Sequence, residues 1–167
     1  MECNKMKQRQ EIAQSVVHST FFEGGRGSLV WGKVKGSPWW PGFIVDGSDC
    51  GLNELPEKFA WVYWIQDNRV SKVPRNYIKG FVSDMLYCSG GKISENCKSA
   101  IVEALKICAK HQGIDLISWS NKKIFSWGRD GGLHNSMKKD EPYLLPDNIV
   151  DGLTRIKRFH MHQKSEI

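Results

Sequence analysis

The sequence predicts an α+β fold, mainly a small antiparallel β barrel followed by helices, and three patterns carry that expectation. From Ser28 to Pro74, short apolar, aromatic and β-branched runs are broken by Gly, Pro, Asp and Asn, as in short strands joined by tight turns. From Ser94 to His111 the period becomes helical, with an apolar stripe at Cys97, Ile101, Ala104, Leu105 and Cys108. The 167 residues, 40% of them hydrophobic, can bury one core of about 100 residues with extensions.

Residues 1–23 read as a tail or a docking helix, since Met6, Ala13, Val16 and Val17 are scattered and the loop Glu23-Gly24-Gly25-Arg26-Gly27 follows. The barrel occupies residues 28–79. Its strands are Ser28–Val34, Gly42–Asp46, Phe59–Ile65 and Val70–Val73, with Asp67-Asn68 as a tight turn because both residues tolerate positive φ. Arg75 to Ile78 then reads as a helical turn closing the barrel. Alternation along the third strand places Phe59, Trp61, Tyr63 and Ile65 on one face and Ala60, Val62 and Trp64 on the other. Trp61 and Trp64 therefore serve different ends, one as core and one facing a pocket.

Helices fill residues 80–113, the clearest running from an N-cap at Ser94 to Gly113 past its end, with Lys98, Lys106 and Lys110 off the apolar stripe. Residues 117–167 form a partly ordered extension. It contains the apolar spots Ile117-Ser118-Trp119 and Phe125-Ser126-Trp127-Gly128, and a second helix from Asp147 to His160 with Ile149, Leu153 and Ile156 in register. Gly152 costs that helix about 1 kcal/mol relative to Ala.

Net charge is +6 with pI near 9.1, spread along the chain rather than gathered in a run. That balance fits a protein touching nucleic acid through a patch and excludes a dense polycation. Five cysteines without a C-x-x-C pair read as reduced thiols. The longest wholly apolar run, Phe59 to Ile65, is far too short to span a bilayer, and the start Met1-Glu2-Cys3-Asn4-Lys5 has no signal-peptide core.

The stretch from Gly27 through Val30-Trp31-Gly32-Lys33 to Ser37-Pro38-Trp39-Trp40-Pro41-Gly42 resembles the opening of a PWWP domain. Trp61-Val62-Tyr63-Trp64-Ile65-Gln66-Asp67-Asn68 looks like the third strand and hairpin of that family. Within it, the chain is most similar to the regulatory region of the de novo DNA (cytosine-5) methyltransferases. Gly25-Arg26-Gly27, Val30-Trp31-Gly32-Lys33, the paired tryptophans of strand three, Ile117-Ser118-Trp119, Gly131-Gly132-Leu133 and Glu141-Pro142-Tyr143 carry that likeness.

The resemblance implies an SH3-like five-stranded antiparallel barrel of the PWWP/Tudor type followed by a small helical bundle, with the domain over residues 24–116. It also implies a reader of methylated histone lysine, the lysine-36 mark of histone three, that binds DNA nonspecifically in the nucleus. The cage positions fall on Ser37, Trp40 and Trp64, with the acidic neighbour on Asp67; Ser37 departs from the family's Phe or Tyr. A methylated ammonium is poorly hydrated, so aromatic faces beside a carboxylate suit it. Trp31, Trp39 and Trp61 are expected to be structural. For DNA the candidates are Lys33, Lys35, Arg69, Lys72, Arg75, Lys79, Lys98, Lys106 and Lys110.

No cysteine follows a proline and no G-x-G-x-x-G occurs, so a methyltransferase centre is not expected in this chain. No cofactor, metal or membrane partner is expected, and the isolated domain should be monomeric. The expected role is to target a DNA-methyltransferase-like protein to nucleosomes. A nonspecific DNA-binding or protein-interaction scaffold with a degenerate cage is the alternative.

Overall fold

The computed structural model describes residues 21–133 and 141–165; residues 1–20 of the expected tail or docking helix lie outside the described residues. Five strands, β1 (Leu29–Gly32), β2 (Trp40–Val45), β3 (Phe59–Trp64), β4 (Val70–Pro74) and β5 (Ile78–Gly80), form one antiparallel sheet in the order β4-β3-β2-β1-β5. Four coincide with the runs expected from sequence, with shifted ends. The fifth replaces part of the expected helical turn: a 3-10 turn covers Arg75–Tyr77, and Ile78 then pairs with Gly32 of β1. Pairing there satisfies the backbone while burying the β-branched Ile78 completely.

Strand alternation sorts the core into two parts. Val30, Ile44, Ala60, Val62, Trp64, Val73 and Ile78, drawn from all five strands, pack together inside the curled sheet. Leu29, Trp31, Phe43, Val45 and Tyr63 point the other way and pack on the helices. Trp31 is fully buried, stacks on Phe81 at 5.0 Å between ring centroids, and donates its indole N–H to the Phe81 carbonyl at 2.9 Å. The edge strands β4 and β5 share no ladder, so the sheet stays open, and the 3-10 turn joins its two edges.

The β3–β4 turn has positive φ at Gln66 (68°) and Asn68 (56°), so Asn68 behaves as expected while Gln66 takes the place foreseen for Asp67. Asn68 Oδ1 accepts a hydrogen bond from the Tyr63 hydroxyl at 2.8 Å, fixing the turn to the strand.

Among the described residues, two four-residue helices, α1 (Gly47–Cys50) and α2 (Met85–Cys88), precede three longer ones, of which the first packs directly on β2. The first of these, α3 (Glu95–His111), starts where Ser94 Oγ accepts the Cys97 N–H at 3.2 Å and buries the whole expected stripe. Ser120 Oγ caps α4 (Asn121–Arg129) in the same way, accepting the Lys123 N–H at 3.1 Å. Gly128 lets α4 press on α3, for a Cβ there would lie 2.5 Å from Leu105. The last helix, α5 (Asp147–Ser165), runs five residues past the expected end and packs on α1.

Gly25-Arg26-Gly27 and Glu141-Pro142-Tyr143, far apart in sequence, meet. Tyr143 N–H donates to the Gly27 carbonyl at 2.8 Å, and Gly27 N–H donates to Ile44 at 2.9 Å. A side chain at Gly27 would collide with the Tyr143 carbonyl, and its φ of 87° is itself glycine-like. Arg26 adds a two-bond pair with Asp49 of α1 at 2.8 and 3.0 Å. Burial pushes the Asp49 carboxyl up, but the Arg26 hydrogen bond, the Asp46 N–H and the charges of Arg26 and Lys157 outweigh that and hold it below its ordinary value.

Candidate functional site

In an antiparallel meander the β1–β2 and β3–β4 connections lie at the same end of the sheet. That topology gathers Ser37, from the first connection, and Asp67, from the second, beside Trp40 at the start of β2 and Trp64 at the end of β3. These four line one open hollow of about 230 Å³, completed by Gly32, Val34 and Pro38. Gly32 and Val34 were not among the candidates from sequence.

Both indole N–H groups are already satisfied. Trp40 donates to the Ile65 carbonyl and Trp64 to Ser71 Oγ, each at 2.8 Å. With their polar ends anchored in the protein, both indoles line the hollow as apolar rings. Trp64 is only 6% exposed and belongs to the barrel interior, so it is core and pocket wall at once. Its ring lies over β1, where a Cβ at Gly32 would stand 2.6 Å from it. Glycine in Val30-Trp31-Gly32-Lys33 is thus what admits the ring. Trp40 is half-buried.

Asp67 is exposed, and its carboxylate stands 3.8 Å from Arg69 Nε with both side chains open to solvent. Such a pair is weak, so the carboxylate remains available to a cation in the hollow. Ser37 closes a turn through its N–H to the Val34 carbonyl at 3.0 Å and brings a hydroxyl rather than a ring. The apolar lining beyond the two tryptophans comes from Val34 and Pro38.

Trp61, on the opposite face of β3, is half-buried and donates to the Asn53 carbonyl at 2.9 Å. It lines a separate hollow with Phe59 and Glu54. Trp39 heads a surface row instead: Lys33 Nζ sits 5.9 Å from its ring, the ring meets Tyr87 edge-on at 6.3 Å, and Lys79 Nζ lies 5.2 Å from Tyr87. Lys33 and Lys79 are therefore brought together, as β1 pairs with β5. Tyr87, 69% exposed, was missed from sequence because it falls in a stretch with no clear period.

The other basic candidates are dispersed. Lys35 is exposed in the β1–β2 connection, and Lys72 projects from β4 with its ammonium 4.3 Å from the Phe59 ring. Arg69 sits in the β3–β4 turn beside Asp67, and Lys98 stands 3.5 Å from Glu95. Arg75 is committed elsewhere: its guanidinium donates to the carbonyls of Phe22 and Gly24 at 2.9 and 2.8 Å, tying the entering segment to the barrel. Lys106 and Lys110 flank a different hollow, lined by Ile117 and Trp119.

Cys50, Cys88, Cys97 and Cys108 are buried, and Cys108 Sγ accepts the Tyr143 hydroxyl at 3.3 Å. Burial pushes Cys88 up to about 12 and Cys97 up to about 11, so both stay uncharged at neutral pH and act as small apolar groups. Among the described residues no cluster of His, Cys, Asp and Glu could hold a metal ion, and no helix is long and apolar enough to cross a membrane.

Comparison with known proteins agrees with the motif and the fold. The family model of the PWWP domain matches residues 27–112. The chain is 30% identical over 124 residues to Zinc finger CW-type PWWP domain protein 1 of Homo sapiens, covering 68% of this chain and 19% of that protein. It is 31% identical over 88 residues to PWWP domain-containing protein 3 of Arabidopsis thaliana, covering 51% of this chain and 9% of that one. The chain thus spans less than a fifth of either relative. The matched segment holds all five strands and α3, together with every residue lining the hollow at Trp40 and Trp64, and the chain belongs to the PWWP domain family.

Proposed function

We propose that this chain is a chromatin-reading module that receives a methylated histone lysine, the lysine-36 mark of histone three, in the hollow between Trp40 and Trp64 while its basic surface touches DNA. The observation that carries the reading is the convergence of Ser37, Trp40, Trp64 and Asp67 on one open hollow with both indole N–H groups satisfied elsewhere. A methylated ammonium placed there has two aromatic faces for its cation–π attraction and one carboxylate for its charge. The row of Lys33, Trp39, Tyr87 and Lys79, with the exposed Lys35, supplies a surface for phosphates. In the nucleus, one such monomer would engage tail and DNA of the same nucleosome and recruit a DNA-methyltransferase-like protein there.

The test is a titration with histone-three peptides carrying unmethylated, dimethylated and trimethylated lysine 36. The methylated forms should bind more tightly, and Trp40→Ala should remove the difference while circular dichroism shows the fold retained. Trp64→Ala is the poorer probe, because deleting so buried a ring costs about 3–5 kcal/mol of stability. Equal, negligible binding of all three peptides, with duplex DNA still bound, would leave the second reading, a DNA-binding or protein-interaction scaffold. Ser37 in place of an aromatic wall is the observation that favours it.

A further inference from the structure

On the helical side of the molecule, α3 and the segment leading to α4 enclose a second hollow of about 570 Å³. Ile114, Leu116, Ile117 and Trp119 give it an apolar lining. Ile117 is 93% exposed, yet it is held in place. Asp115 Oδ1 accepts the Ile117 N–H at 2.9 Å, and Trp119 N–H donates to the Leu116 carbonyl at 3.0 Å. The Trp119 ring is braced in turn against Trp127, edge to face at 6.1 Å. An isoleucine fixed in water beside an apolar hollow marks a surface that another apolar group can cover.

The charge around the hollow is predominantly positive. Lys106 and Lys110 stand one turn apart on α3 at the edge of the hollow, and Lys123 Nζ lies 4.1 Å from the Trp119 ring. Among the described residues none of the three belongs to an ion pair. Like charges four apart on a helix repel one another, so the arrangement is relieved by an anion. The one carboxylate in the lining, Asp115, accepts the Ile117 N–H and keeps its charge, so three lysines face one carboxylate and the excess is positive.

We infer that this hollow docks an acidic protein segment, one in which a bulky apolar side chain enters between Ile117 and Trp119 while flanking carboxylates meet Lys106, Lys110 and Lys123. Both features of the surface are needed to name the occupant. A nucleic-acid backbone would neutralise the lysines but has no apolar group to cover Ile117, and a neutral apolar peptide would leave the lysines unmet. The hollow is a separate site from the one at Trp40 and Trp64, and it reassigns Lys106 and Lys110 from phosphate to carboxylate.

The probe is a short fluorescein-labelled peptide with a Leu-Phe pair flanked by glutamates, followed by fluorescence anisotropy and by the Trp119 indole signal in a ¹H–¹⁵N spectrum. It should bind and shift that signal, and Ile117→Asp, at a solvent-exposed position outside the core, should weaken it at least about tenfold. Replacing Leu-Phe by Ser-Ser at the same charge should weaken it comparably. Three results would each overturn the inference: no shift of the Trp119 signal at saturating peptide; unchanged binding by Ile117→Asp; or duplex DNA, and not the peptide, perturbing Trp119, Lys106 and Lys110.

Discussion

Ser37 decides how strongly the hollow at Trp40 and Trp64 can hold a cation. The backbone around it is set by its N–H to the Val34 carbonyl and by Gly36 at a φ of 83°, so the position can change its side chain without changing its turn. A third aromatic face adds about 0.5–2 kcal/mol to cation binding. Ser37→Phe should therefore tighten a trimethyllysine-36 peptide by roughly two- to thirtyfold and leave the unmethylated peptide unchanged. Isothermal titration with both peptides measures this, and equal effects on the two would mean that the ring contacts the peptide outside the methylammonium. Gly32 shows the opposite constraint at the same site, since the Trp64 ring occupies the space of its missing Cβ. The tryptophans on either face of β3 could be separated from sequence by parity alone. That Trp64 is both wall and core could not, because parity states which face a ring is on and not how deep that face is buried.

At the scale of elements, α5 is placed by a residue that propensity treats as a defect. Gly152 lies in mid-helix, where Ala would be favoured by about 1 kcal/mol. A Cβ there would run into the Tyr63 hydroxyl, whose ring is 1% exposed and whose proton is donated to Asn68. The ring has nowhere to move, and overpacking of that kind costs about 1–3 kcal/mol. Less the ~1 kcal/mol that Ala gains in propensity, the net loss is about 1 kcal/mol at the middle of that range, so Gly152→Ala should lower Tm by about 2–4 °C for a chain of this size, as thermal unfolding followed by circular dichroism would register. An unchanged or raised Tm would place α5 farther from β3 than described. The helix itself was legible in the spacing of Ile149, Leu153 and Ile156, and α3 in its cap and stripe. The place of the fifth strand was not: Ile78-Lys79-Gly80 is too short to show a period, and only its pairing with β1 defines it. Nor was the contact between Gly27 and Tyr143, because hydrogen bonds between backbones leave no mark on residue type beyond the glycine.

For the whole molecule, the net charge of +6 divides into surfaces with different tasks. Lys33 and Lys79 share a row with Trp39 and Tyr87, close in sequence and strand pairing to the hollow at Gly32 and Trp40. Lys106 and Lys110 border the separate hollow on α3. Each phosphate contact contributes about −0.9 to the slope of log affinity against log salt, so four acting together give about −3.6 and roughly a hundredfold loss from 50 to 200 mM. Replacing Lys33 and Lys79 together by Ala should make the slope shallower by about 1.8, whereas replacing Lys106 and Lys110 by Ala should leave it unchanged. Anisotropy of a labelled duplex across that salt range reads both. If the second pair flattens the slope as much as the first, DNA wraps onto the helical face, and the lysines there serve phosphate. If only the first pair does, tail and DNA are held on the barrel side. Two weak contacts on one nucleosome then reinforce one another through effective concentration, and the helical face stays open to a third partner.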